Sequence, residues 1–332
     1  MRYAAQLLTI TLLALGTQGQ ALGQEGLDPK LESRCSAEFS PDTNEYSLCH
    51  DVGTSIQLLQ PELGLLLAGG NPVLGTASAL GKKFRFIPRL HIGGRISFVW
   101  AEIPDIINYP ENVTDPVGTI SFSVPMPQLD LSVGVFEGFR LGSTMGGMAS
   151  VELLGSLGAM ILPAGKGFKN DVTGFGLGAR VGLLRESFTA PGISLSGMYK
   201  WHGRIQFGDA EAGDAAEFGM DMRVASLRVG LSKSFVALAL GLTLGYDSYW
   251  SDVDFAVNTP STVLPVPVVP AETPVGIQSE RWSAFLDVSY IILYFNIVAE
   301  AGWQEEQRLL NSREDELKSG NFFGAIGIRL TL

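Results

Sequence analysis

The chain is short of the residues that carry most enzymatic chemistry. Its 332 residues include three histidines, His50, His91 and His202, and two cysteines, Cys35 and Cys49. Their spacing matches no zinc site, and there is no phosphate loop or cofactor fingerprint, so no metal and no cofactor are expected. A Ser/His hydrolase needs a base within reach of its nucleophile. His202 stands in KWHGR with no serine in an obvious pair, and Asp252 and Asp254 (SDVD) read as a hydrated loop. The chain therefore reads as a non-enzyme, with an embedded hydrolase as the minor alternative. Charge is scarce too: 17% of residues are charged, and 34 acidic against 23 basic residues leave a net charge of −11. That balance excludes nucleic-acid binding as a main role. The acidic excess falls in stretches such as Asp209–Glu217 and Glu314–Glu316, which read as solvated loops.

Long apolar runs are missing after the first 23 residues, although mean hydropathy is +0.22. A spanning helix needs roughly 20 apolar residues in a row. Residues 1–23 carry Arg2, an apolar stretch Ala4–Leu15 and a small-x-small end at Ala21-Leu22-Gly23. That is the pattern of a secretory signal, with maturation at Gln24. No cysteine follows to take a lipid anchor. Cys35 and Cys49 lie in one polar stretch (RCSAEFSPDTNEYSLCH). An exported chain pairs such neighbours as a disulfide, for about 3 kcal/mol by the chain-entropy model. His50 beside them leaves a metal set incomplete.

What the sequence does have is alternation. In Phe235–Asp247, Val236, Leu238, Leu240, Leu242, Leu244 and Tyr246 share one face, and Ala237, Ala239, Gly241, Thr243, Gly245 and Asp247 the other. Such stretches run 10–15 residues, about twice the usual strand of about 5–6, and about 9–11 tilted residues cross a bilayer. Forty glycines dilute the rest. The fold class is all-β: a transmembrane antiparallel β-barrel, apolar outward and polar inward. Eleven candidate strands fall near 86–100, 117–124, 128–136, 149–162, 173–185, 192–206, 220–232, 235–250, 281–292, 295–304 and 321–332. Single-chain barrels have even counts, so a further strand is expected within 137–147 or 62–69, giving about 12 strands, or 14. Counting back from the C-terminus puts the turns at 233–234 and 293–294 in the periplasm. The longer 208–218, 251–280 and 305–319 then lie outside. The prolines of TPSTVLPVPVVPAETPVG make 251–280 a semi-rigid loop that extends no sheet. Trp201, Trp250, Trp282 and Trp303 fall near the outward strand ends, as interface aromatics.

The expected organisation is a signal peptide at 1–23, a periplasmic extension with the disulfide at 24–51, a plug or lead-in at 52–83, and the barrel at 84–332. Within 52–83, Pro61 and several glycines break any long helix, leaving a short helix and a small-residue loop, Ala68–Ala79. By strand parity, Arg89, His91, Arg95, Asp130, Arg180, Lys200, His202, Arg228, Asp287, Glu300 and Arg329 face the lumen. A cation on the other face would meet lipid at about 2–4 kcal/mol. These charges read either as a selective lining or as a static ladder of ion pairs. The inner faces near Gly176, Gly178, Gly182, Gly241 and Gly245 are bare, leaving room for residues 52–83 or an open lumen.

The last stretch, Gly320–Leu332 (GNFFGAIGIRLTL), resembles the final strand of bacterial outer-membrane β-barrel proteins. Ile326, Ile328, Leu330 and Leu332 alternate there with Gly327, Arg329 and Thr331. The class usually ends in an aromatic residue, and this chain ends in Leu332. The resemblance covers about residues 84–332. It implies the outer membrane of a diderm bacterium, with membrane lipid and the barrel-assembly machinery as partners. Ala68-Gly69-Gly70-Asn71-Pro72 resembles small-residue segments of long-chain fatty-acid transporter-type barrels. Those barrels carry an N-terminal plug and are larger than this chain allows. The function expected is a channel or transporter for a small or apolar solute. The alternative is a structural or adhesive barrel with a closed lumen.

Overall fold

A computed structural model of the chain describes residues 26–79, 89–112, 114–139, 148–188, 190–258, 267–268, 274–319 and 322–332. The expected signal peptide and cleavage site fall outside the described residues, as do 80–88 and most of the proline-rich loop.

Two helices come first: α1 (Pro29–Glu38) and α2 (Asn44–Ala68). The barrel strands are β1 (Leu90–Pro104), β2 (Thr119–Phe136), β3 (Ser150–Met160), β4 (Val172–Leu184), β5 (Gly192–His202), β7 (Ala216–Phe235), β8 (Leu238–Asn258), β10 (Val275–Ile292), β11 (Phe295–Gln304) and β14 (Phe322–Thr331). Each pairs antiparallel with its neighbours. β1 pairs with β14, and β7 joins β5 to β8, so the ring closes with ten strands. Two short strands extend the wall: β6 (Ile205–Phe207) on β7 and β9 (Pro267–Val268) on β8. A hairpin, β12 (Arg308–Leu310) and β13 (Glu316–Lys318), lies in the connection before β14.

Ten strands correct the expected twelve, and the reason is local. The two candidates 117–124 and 128–136 are the single strand β2, which runs through Pro125 and Pro127. Both prolines face outward, and the Pro125 carbonyl accepts from the Ile161 N–H at 3.0 Å. The side of β2 that lacks N–H groups therefore turns toward β3 where that strand ends. Few ladder bonds are lost there, and proline is tolerated at such an edge. Counting β2 once makes the total even without a missed strand. Of the places proposed for one, 62–69 is helix α2 and its cap, and 140–147 is outside the described residues. Pro267 and Val268 also pair with β8, although the proline-rich stretch was expected to join no sheet. β8 runs on to Asn258 and β10 starts at Val275, so that loop is shorter than 251–280.

Helix α2 is the second correction. It is one helix of 25 residues, continuous through Pro61, and crosses the expected boundary at residue 52. Thr43 caps its N-terminus, accepting from the Tyr46 N–H at 3.2 Å, and Gly69 ends it at φ +68°. An interior proline costs about 3 kcal/mol, but nearly every side chain from Ser47 to Ala68 is buried. A helix apolar all round is one enclosed on all sides, here by the barrel. The Gln304 amide donates to the Pro61 carbonyl from the wall at 2.9 Å.

The direction of α2 follows from the loops it meets. The tight turns, at residues 236–237 and 293–294, lie at the end of the barrel where β14 finishes. The connections 105–118, 203–215 and 305–321 lie at the other. Asn44 at the start of α2 donates to the Pro110 carbonyl, and Lys30 of α1 to that of Gly276. α2 thus enters at the long-loop end and descends. The disulfide Cys35–Cys49, with Cα atoms 5.7 Å apart, ties α1 to α2 at that mouth. Residues 28–51 thus stand at the end of the barrel that carries the long loops.

Candidate functional site

The interior has two unlike halves. Toward the long loops, the inner faces of β7 (Phe218, Met220, Met222, Val224) and β8 (Tyr249, Val253, Phe255, Val257) are apolar and buried against α2. The Gly64 position on α2 sits against the Tyr249 ring, where an added Cβ would stand 2.5 Å from it. The outer wall at this level is polar: Asp221, Arg223, Asp252 and Asp254 point away from the lumen. Toward the short turns the arrangement is reversed. Leu227, Leu231, Leu240, Leu242 and Leu244 are exposed on the outside, and the inside is ionic.

The ionic half surrounds residues 69–78, the chain between α2 and the barrel. Arg95 pairs with Asp130 at 2.9 Å and Glu300 at 3.5 Å, Arg180 with Glu152 at 2.6 Å, and Arg228 with Asp247 at 2.6 Å. The same arginines reach the enclosed backbone. Arg95 donates to the Asn71 carbonyl at 3.1 Å, Arg180 to Thr76 at 2.9 Å, and Arg228 to Gly69 at 2.8 Å. Arg329 donates to the Leu74 carbonyl. Glu300 accepts from the Asn71 N–H at 2.6 Å, and Asp287 from the Asn71 side chain at 3.1 Å. Four arginines and two carboxylates therefore hold an irregular segment in place. Its carbonyls would otherwise be unsatisfied in a buried site. A Cβ at Gly70 would overlap the Glu300 carboxylate, so the close approach requires glycine there.

The expected lumen set is brought together almost whole. His91, Arg95, Asp130, Arg180, Lys200, His202, Arg228, Asp287, Glu300 and Arg329 are all buried on the inner face. Arg89 precedes β1 at the short-turn end. There it lines a vestibule of about 990 Å³ with Arg329 and His91. Asp247, on the inner face of its strand by parity, belongs to the set, and so does Glu152, which the sequence reading leaves out although its parity with Ser150 marks it. The bare glycines are filled chiefly by neighbouring strands. Lys200 lies over Gly176, Met198 over Gly178, Asp287 over Gly241 and Arg228 over Gly245, whereas Leu67 of α2 reaches Gly174 and Ala77 of the enclosed segment reaches Gly230.

Trp201, Trp250, Trp282 and Trp303 all project outward in the long-loop part of their strands. Trp303 is in register with Phe322, Trp282 with Tyr246 and Trp201 with Phe175. Asp252 and Asp254, expected in a hydrated loop, stand instead on strand β8, bound to Arg223 and Arg204 on the outer wall.

At the mouth, Asp51 of α2 is fully buried. It accepts from Tyr109 OH at 2.8 Å and from Ser312 N–H at 2.6 Å and Oγ at 2.7 Å. Two loops thereby fasten the top of the helix. Burial, and next the Asp51 charge, hold the Tyr109 hydroxyl well above its ordinary pKa, so it remains a donor.

No protein-family model and no curated protein matches the sequence. Among solved structures, the chain is similar to the translocator domain of the autotransporter NalP from Neisseria meningitidis. Identity is 11% over 84% of this chain and 97% of that one, with a TM-score of 0.41. It is also similar to the outer membrane protease OmpT from Escherichia coli (13% identity, 77% and 100% covered, TM-score 0.37). A third is the toluene transporter TodX from Pseudomonas putida (11%, 79% and 96%, 0.26). The architecture here is that of an outer-membrane barrel, as its own closed ring and apolar outer band establish.

Proposed function

We propose that this chain is a closed-lumen barrel of a bacterial outer membrane. On this reading it carries its own N-terminal helices through the lumen and presents α1 and the Cys35–Cys49 crosslink at the cell surface as a structural or adhesive module. The carrying observation is that α2 enters at the long-loop end and fills the lumen to the ionic half. Outward long loops and short periplasmic turns are the usual orientation of such barrels.

A channel or transporter needs a path, and α2 occupies it. Ile56, Leu58, Leu59, Leu63, Leu65, Leu66 and Leu67 are all buried. At about 1.5–3 kcal/mol each, removing them from the barrel costs on the order of 10–20 kcal/mol, too much for routine opening. Membrane lipid surrounds the wall, and the barrel-assembly machinery inserts it.

Planar-bilayer recording tests the reading. The intact protein is expected to stay closed, and a variant lacking residues 26–79 to conduct. Steady conductance from the intact protein would overturn the closed lumen. An epitope placed before Gly26 is expected to bind antibody on intact cells. Binding only after permeabilisation would overturn the outward placement of the N-terminal helices.

A further inference from the structure

The short-turn end of the barrel is not filled by the enclosed segment. Below Thr76, Ser78 and Ala79 lies the vestibule of about 990 Å³. Its walls combine residues from both faces of the barrel. His91, Arg329 and Thr331 come from the inner faces of β1 and β14. Lys233 comes from the outer face of β7, next in the column after Leu227, Val229 and Leu231, and Phe235 follows it. A hollow that joins an outer-face lysine to inner-face residues passes the lip of the barrel. Lys233 also marks where the apolar column of β7 ends, and a lysine there carries its charge at the level of the lipid headgroups.

The charge of this hollow is one-sided. Lys233 Nζ donates to the carbonyls of Ser187, Phe188 and Ala190 at 2.6, 2.9 and 3.4 Å. Arg329 donates to the Leu74 carbonyl and lies against the Asn296 side-chain amide. These partners carry no net charge, so the bonds orient two cations without neutralising them. A guanidinium also has more donors than these contacts use. Arg89 and Arg185 line the same hollow. Against them stands one carboxylate among the described lining residues, Glu186, held in its turn by the Ser234 N–H and Oγ. Deeper in, His91 is 5% exposed. Its Nδ1 meets Thr331 Oγ1 at 2.9 Å, and its Nε2 has no hydrogen-bond partner among the described residues. Buried polar atoms are normally partnered, so this imidazole lacks a group that the chain does not supply.

A bare anion would match the charge but not the lip. Phe188 and Val236 are fully exposed there, and Phe235 is exposed beside them. Apolar side chains gathered at the edge of a cavity mark an interaction site. The ligand that suits both features is anionic at one end and apolar at the other. Basic pockets at a membrane surface bind anionic lipid headgroups, and phosphate oxygens accept from arginine and lysine.

We propose that this vestibule binds the phosphate headgroup of an anionic phospholipid, with the acyl chains on the apolar lip. Which leaflet supplies the lipid rests on the orientation proposed above; the binding itself does not. The test uses the full chain refolded in an uncharged detergent, with native mass spectrometry reading retained lipid. The probes are phosphatidylglycerol and, as the net-neutral comparison, phosphatidylcholine; inorganic phosphate is the free-anion arm. Phosphatidylglycerol is expected to be retained over phosphatidylcholine by about tenfold or more. Lys233→Gln is expected to weaken that preference about fivefold, and His91→Leu about threefold, each with unchanged heat-modified gel migration. Arg223→Gln, at the other end of the barrel, is expected to leave it unchanged. Equal retention of the two lipids overturns the proposal, as does parental retention by both Lys233→Gln and His91→Leu. A loss in Arg223→Gln as large as in Lys233→Gln assigns the effect to general surface charge and overturns it too. Inorganic phosphate binding as tightly as phosphatidylglycerol assigns the site to a free anion and overturns the lipid source. Conductance by the intact protein would sink the closed lumen and leave this result unaffected, so the two proposals fail separately.

Discussion

The two halves of the barrel solve opposite problems with the same strands. Along β7, the buried side chains are Phe218, Met220, Met222 and Val224 above, and Ser226, Arg228 and Ser232 below. The upper half is built like a soluble β-protein, with a dry core around α2 and charges outside. The lower half is its inverse, with leucines outside and an ionic core around residues 69–78. The difference teaches that filling a lumen is not one task. A helix satisfies its own backbone and needs only apolar contact. An irregular segment needs a donor or acceptor for each exposed peptide group, and here arginines provide them.

That contrast can be broken from either side. The largest effect is expected in the ionic half. Arg228→Ala leaves Asp247 buried without its partner and frees the Gly69 carbonyl; a loss of about 3–5 kcal/mol is expected, read as a lower midpoint in urea unfolding from vesicles. Pairing Arg228→Met with Asp247→Leu should recover most of it. If the double variant is no better than the single one, the pair is not the source of the loss. Next comes the dry half. Leu63→Ala is expected to cost about 2–5 kcal/mol through the cavity it leaves, with the bilayer still closed to ions because the helix backbone stays in place. Gly64→Ala probes the same contact from the opposite direction. Its methyl meets the Tyr249 ring, and overpacking of about 1–3 kcal/mol is expected; Tyr249→Ala in the same chain should relieve the clash.

The smallest effect lies at the mouth. Tyr109→Phe removes one donor to Asp51, for about 1 kcal/mol. The fold holds the Tyr109 hydroxyl above its ordinary pKa of about 10. Its contribution is therefore whole below that pH and is lost as pH rises above it toward the folded value. The parent should lose stability above about pH 10, and the Phe variant should show less of that loss; equal alkaline curves would show that Tyr109 is not linked to stability.

Much of this was legible in the sequence, and the misses have definite causes. The run from Leu238 to Asp247 declares its faces by parity alone, and charges of the wrong parity would have met lipid. Two prolines inside β2 hid its continuity, because proline normally marks an edge and the sequence does not say that β3 ends beside them. Pro61 masked α2 in the same way, since its cost is offset only by an enclosure that the segment itself does not encode. The dry half was missed because the whole interior was taken to be polar. Yet the apolar parity switches within single strands, from Met222 and Val224 to Leu227 and Val229 in β7, and from Val124 and Met126 to Leu129 and Leu131 in β2. That switch marks the level where the wall leaves the bilayer.

The crosslink between α1 and α2 has a consequence for biogenesis. Two helices bound side by side are about twice the 10–12 Å width of one, and the ring encloses only one. Such a pair cannot be drawn through the finished cylinder. On the outward placement proposed above, either the first and last strands zip together around a chain already in position, or the thiols of Cys35 and Cys49 meet only after α1 has emerged on the far side.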